Sequence, residues 1–168
     1  MIDIFSVFIV MILTLIVQSM ISMYFPLYGM VPDLMLVSVV YFSLRKGTVF
    51  GEAYGFFSGI LLDVFSLQVF GARAVIFTVI GYLVGRYSHK LDETKVRVQV
   101  IICFMSMLFY LLVFNLICAV FLPRSNVFHI YALLTEVIYT SVFVPLVFGL
   151  LNIWFRKTRK WSGKANRI

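Results

Sequence analysis

The sequence predicts an all-α polytopic membrane protein with six transmembrane helices, and three observations carry that reading. Of 168 residues, 62% are hydrophobic and only 12% charged, with a mean hydropathy of +1.05; a soluble domain holds about 25% charged residues. The apolar residues form continuous runs, where barrel strands would alternate apolar and polar positions in segments of about ten. The basic residues lie between the runs. A soluble enzyme, a nucleic-acid-binding module and a disordered tail are therefore excluded. The net charge of +7 reads as membrane topology, not as a footprint for nucleic acid. At about 20 residues per span, the chain holds six or so helices in a single transmembrane domain.

The first run covers residues 4–24, broken only by Ser, Thr and Gln. It is too long for a signal peptide, lacks a basic start, and has no small-residue exit, since the first alanine is Ala53. After Pro26, Gly29 and Pro32, a second run goes from about Leu27 or Pro32 to Leu44 and stops at Arg45-Lys46-Gly47, about 27–44 at its longest. The third covers 49–65 and the fourth 72–85. A polar stretch from Arg86 to Arg97 follows, then a fifth run over 98–122 that stops at Pro123. The sixth covers 127–155, with Pro145 as a kink, and a basic tail occupies 156–168. Runs two to four are short. Hydropathy does not distinguish thin spans from a re-entrant hairpin of runs two and three, and either keeps the later parity.

Alternation of six runs puts Arg45, Lys46, Arg86, Lys90, Lys95, Arg97, Arg156, Lys157, Arg159, Lys160, Lys164 and Arg167 on one side, leaving only Arg73 and Arg124 of the 14 basic residues on the other. Short loops rich in Lys and Arg stay cytoplasmic, so both termini are expected inside. The basic tail, flanked by Trp154 and Trp161, is suited to anionic lipids at that face.

No catalytic or metal constellation emerges, and no cofactor is expected. Cys103 and Cys118 are 15 residues apart on one helix, too far to pair; His89 and His129 lie in or beside loops, away from acids with ligand spacing. Gly55-Phe56-Phe57-Ser58-Gly59 is one residue too long for a Gly-x-Ser-Gly nucleophile element, and no histidine shares its depth.

The third run is the richest. Gly51, Gly55 and Gly59 repeat every four residues, a ridge of small positions on which a second helix backbone can approach closely; it serves packing within the fold or against a partner's helix. Glu52 adjoins the ridge and Asp63 continues it. Ionisable residues in spans mark pairing or contact. Parity brings Asp33, Asp63 and Arg73 to one level near the outer surface, with Glu136 and Arg124 close by. Asp33, at a helix start, is favoured by the dipole and solvated by interfacial water. Asp63, at a helix end, needs a cation, and a pair with Arg73 is expected.

Pro32-Asp33-Leu34-Met35-Leu36, Arg45-Lys46-Gly47, Gly51…Gly55-Phe56-Phe57-Ser58-Gly59-Ile60-Leu61-Leu62-Asp63 and Gly81-Tyr82-Leu83-Val84-Gly85-Arg86, in this order and spacing, resemble the rod shape-determining MreD family. Departures are Glu52, where the family has a small or apolar residue, and the segment 66–73, without a Gly/Pro-rich turn. The resemblance implies a non-enzymatic component of the bacterial elongation machinery in the plasma membrane. It would associate with a bitopic MreC-like protein, and through it with MreB filaments, a RodA-like glycosyltransferase and a class B penicillin-binding transpeptidase. The implied fold is similar to the substrate-binding component of energy-coupling-factor transporters, which supplies a second reading, a small-solute-binding subunit. Against that reading, the first helix lacks the Ala-x-x-x-Ala docking motif of such subunits.

Overall fold

The computed structural model describes residues 4–24, 31–66, 69–88, 96–121 and 130–165, with side chains described over 5–24, 31–66, 69–88, 96–121 and 136–155. His89, Lys90, Lys95, Arg124 and His129 lie outside these residues. Among them the chain forms six α-helices: α1 Ile4–Tyr24, α2 Leu34–Lys46, α3 Thr48–Val64, α4 Ala72–Tyr87, α5 Val96–Phe121 and α6 Ile130–Ala165. Three segments are long and apolar enough to cross a membrane: Phe5–Tyr24, Val96–Phe121 and Glu136–Phe155. At 13, 17 and 16 residues, α2, α3 and α4 reach only roughly 20–26 Å at 1.5 Å per residue.

The short helix α2 is the centre of the molecule. Every residue from Leu34 to Leu44 is buried, and α2 packs on each of the other five helices. A helix apolar on all sides belongs in a core or in lipid; here protein surrounds it, so its length need not match the bilayer. Its hydroxyls are satisfied at home: Ser38 Oγ donates to the Met35 carbonyl (2.7 Å) and Ser43 Oγ to that of Val39 (2.6 Å). Of the two starts the sequence left open, Leu27 and Pro32, the structure stands close to the second. Residues 31–33 are non-helical, and the first turn opens at Leu34 because the Asp33 carboxylate accepts the Leu36 N–H at 2.9 Å, an N-cap arrangement that satisfies an otherwise orphaned donor.

At the other end Gly47 alone links α2 to α3. Its φ of +81° lies in the left-handed region, which glycine enters without penalty. Gly71, at φ +88°, opens α4 in the same way. The Arg45 end of the core is aromatic. The Tyr41 ring meets Phe42 and Phe148 edge-on at 5.3 and 5.2 Å, and its hydroxyl donates to Asn152 Oδ1 at 3.1 Å, tying α2 to α6. The helix α6 continues through the basic segment to Ala165, ten residues beyond the apolar run, and passes Pro145 without ending. Cys103 and Cys118 are free and buried.

Candidate functional site: the glycine seam and the polar cluster at the Asp33 end

The helices α3 and α4 run antiparallel and make the most intimate contact in the fold. Along the seam, Gly85 faces Thr48, Gly51 faces Gly81, Gly55 faces Phe77 and Gly59 faces Ala74. A Cβ built on Gly55 would land on the Phe77 carbonyl, and one on Gly59 on the Ala74 Cα; one on Gly85 would sit 2.6 Å from the Thr48 Cα. Gly51 lies at a triple junction, where an added Cβ would stand 2.5 Å from Ser43 Oγ of α2 and 2.7 Å from the Gly81 carbonyl. In a bilayer no hydrophobic force drives helices together, and association rests on close van der Waals packing. The ridge Gly51/Gly55/Gly59 is therefore spent within the fold, against α4. The matching ridge, Gly81 and Gly85, stands in the motif that carries the family resemblance, but its packing role was not read from its equal four-residue spacing.

The seam continues into a polar cluster at the Asp33 end. Asp63, 2% exposed, is the last seam position of α3 and lies over the N-terminus of α4. Its carboxylate accepts the Ala74 N–H at 3.2 Å, and the amides of Gly71 and Arg73 also turn toward it. The expected partner Arg73 acts on Asp63 as an electrostatic attraction, while the hydrogen bonds of the carboxylate go to these amides. The positive end of α4 supplies what the negative end of α3 withholds. Arg73 also reaches across to α5. Its Nε–H donates to the Tyr110 hydroxyl at 3.2 Å, its Nη1 reaches the Leu62 carbonyl at 3.5 Å, and its Cζ lies 5.2 Å from the Phe114 ring centroid.

Asp33 is only 5% exposed, so solvation by interfacial water gives way to hydrogen bonding. Besides capping α2, its own N–H donates to Thr140 Oγ1 of α6 at 3.1 Å. Beside it Gln18 Oε1 of α1 accepts the Met35 N–H at 3.0 Å. Glu136, half-buried on α6, lies within electrostatic reach of Asp33 and Arg73. Five helices and the cap of α2 thus contribute to one polar belt, buried at Asp33, Asp63, Tyr110 and Thr140 and half-buried at Gln18, Arg73 and Glu136. Glu52 is not part of it, standing half-exposed roughly 16 Å away along α3 at 1.5 Å per residue. Gln18, Tyr110 and Thr140 were not singled out from the sequence; polar residues on otherwise apolar helices were the available signal.

The seam and the belt join the very segments that carry the Pro-Asp, Gly-ridge and Gly-Tyr motifs, so those motifs describe one packed unit. A family model for the rod shape-determining protein MreD matches residues 1–154, nearly the whole chain. The chain belongs to the MreD family. No curated protein matches it, and no solved structure does. Family membership makes it a membrane protein of rod-shape determination, and the three long apolar helices agree. In this MreD chain the family-like residues from Pro32 to Arg86 fall on α2, α3 and α4, the three short helices that are held together from within.

The cap on α2 can be checked directly. Asp33→Ala removes the acceptor of the Leu36 N–H inside a dry site and should cost about 1–2 kcal/mol, the upper part of the range for N-caps. Asp33→Asn keeps an acceptor oxygen and should lose clearly less. Thermal unfolding of both variants in detergent reads the difference, and equal losses would remove the capping role.

Proposed function

We propose that the chain is a non-enzymatic scaffold of the bacterial rod-shape machinery, acting on peptidoglycan synthesis through a bitopic MreC-like protein. MreB filaments, a RodA-like glycosyltransferase and a class B penicillin-binding transpeptidase are reached through that partner. It crosses the plasma membrane six times with both termini in the cytoplasm. Family membership and the one-sided placement of 12 basic residues support this reading. A short α2 is compatible with six crossings, because a helix wrapped in protein need not meet the lipid directly.

The observation that favours a scaffold over a solute-binding subunit is the packing of α2: among the described residues, Met35, Leu36, Val37, Val39 and Val40 at the centre of the helices have zero exposure, so protein side chains occupy the space around this helix. Two results test the proposal. Removing the gene should turn rod-shaped cells round, and the MreC-like protein should co-purify with the tagged chain from native membranes in mild detergent. Cells that keep their rods, or a partner that stays behind, would overturn it. For topology, Ser125→Cys should react with an impermeant thiol reagent on intact cells and Ser162→Cys should not; the reverse pattern sinks the arrangement.

A further inference from the structure

On the side of the molecule away from the α3–α4 seam, α1 rests on α2, and a groove of about 250 Å3 lies between α1 and α6 with Leu34 on its floor. Leu13 and Val17 form one wall; Phe143, Val147, Leu150 and Trp154 form the other. Thr14 brings a hydroxyl to the lining, and that hydroxyl already donates to the Val10 carbonyl at 2.8 Å. The occupant is therefore apolar along its length.

We infer that this groove seats one acyl chain of an anionic phospholipid whose headgroup meets the cations that follow Trp154. A helix is the poorer fit. Close helix approach calls for small residues, as in the seam of α3 and α4, while these walls are built from Leu, Val, Phe and Trp, which leave space for a thin, flexible chain. The lining from Ile9 to Ile21 extends roughly 18 Å along α1 at 1.5 Å per residue, enough for a chain that fills one leaflet, about half of a ~30 Å core. The charge is on α6. The helix does not stop at Trp154 but continues to Ala165, carrying Arg156, Lys157, Arg159 and Lys160 within its next two turns. Lys157 follows Trp154 by three positions, in the same register that sets Phe143, Val147, Leu150 and Trp154 along the groove. A tryptophan at the hydrocarbon edge followed by cations is complementary to a phosphate headgroup.

The inference rests on the proposed topology only for the leaflet involved; binding in detergent is independent of sidedness, so a failed seat and a failed topology are told apart. The test uses the full chain, delipidated in mild detergent and titrated with phosphatidylglycerol or phosphatidylcholine of identical acyl chains, with bound lipid counted by native mass spectrometry. The chain should hold one phosphatidylglycerol with a preference of about five-fold or more over phosphatidylcholine. Leu13→Trp and Leu150→Trp, at positions 52% and 60% exposed, fill the groove without entering the core and should each abolish that bound lipid. Arg156→Gln with Lys157→Gln should keep a bound lipid but lose the preference. Met105→Trp, in a separate groove between α4 and α5, should change neither. Undiminished binding in both groove-filling variants, or equal affinity for the two lipids in the unsubstituted chain, overturns the assignment. So does loss of the MreC-like partner from Leu13→Trp with lipid binding intact, which would give the groove to a protein helix.

Discussion

Gly55→Leu should prevent the chain from accumulating as a folded protein, and Gly55→Ala alone should destabilise it severely. The reason is geometric. At Gly55 the backbone of α4 is so close that even one methyl group overlaps the Phe77 carbonyl, and a carbonyl held in a helix cannot rotate aside as a side chain would. Relief requires α3 and α4 to move apart, and that separation loosens the packing at Gly51, Gly59 and Gly85 together. Overpacking in a close-packed core costs typically about 1–3 kcal/mol; because the whole seam parts at once, Gly55→Ala should fall at the top of that range and Gly55→Leu beyond it. Gly59→Leu should behave alike, since its new side chain meets the Ala74 backbone. Gly149 supplies the contrast. Nothing lies within 4 Å of a Cβ built there, so Gly149→Ala should remain within about 0.5 kcal/mol of the unsubstituted protein. Accumulation in membranes and thermal midpoints in detergent decide the matter, and a stable Gly55→Leu chain would show that the helices do not meet as described.

Arg73→Gln and Tyr110→Phe should be coupled, by about 1 kcal/mol in a double-mutant cycle. The bond from Nε to the Tyr110 hydroxyl is charge-assisted and links α4 to α5, with the Phe114 face beneath the guanidinium as a second support. Either single change leaves a buried polar partner unmet, so the double variant should lose less than the sum of the singles. Asp63 enters separately. Asp63→Ala strips the acceptor from the first turn of α4 and should cost about 1–2 kcal/mol, whereas Asp63→Asn keeps an oxygen and should cost less. In the cycle of Asp63→Asn with Arg73→Gln the coupling should be smaller than for Arg73 with Tyr110. A larger one would restore the direct pair that the sequence suggested.

The helix bounds follow the apolar runs wherever polar residues break the chain sharply. Helix α1 spans 4–24, and α3, α4 and α5 lie within two residues of the predicted runs, while α6 continues ten residues past its run into the basic segment; a long apolar run in lipid has no alternative to intrahelical hydrogen bonds. Bounds and runs part where a single side chain decides. Whether α2 starts near residue 27 or at Leu34 depends on Asp33 folding back on the Leu36 amide, and composition is blind to that. The ridge in α3 was readable from its spacing, but a spacing names no partner; only the antiparallel register shows that Gly81 and Gly85 complete it. The charges at the Asp33 end were readable as a group sharing one level. The hydrogen bonds were not, since opposite signs point to Asp63 with Arg73, while Asp63 also accepts from main-chain amides that every sequence possesses.

The enclosure of α2 bears on how such a chain is made. A segment of 13 residues ending in Arg45 and Lys46 is too short to cross the hydrocarbon unaided, and the hydroxyls of Ser38, Tyr41 and Ser43 make it a poor solitary guest for lipid. Yet it leaves the ribosome before α3, α4, α5 and α6, four of the helices that enclose it. The tight hairpin of α3 and α4, adjacent in sequence, can close as soon as both are synthesised, but α5 and α6 supply Tyr110, Thr140 and Asn152 only later. The native seat of α2 is therefore complete only once the later helices have arrived.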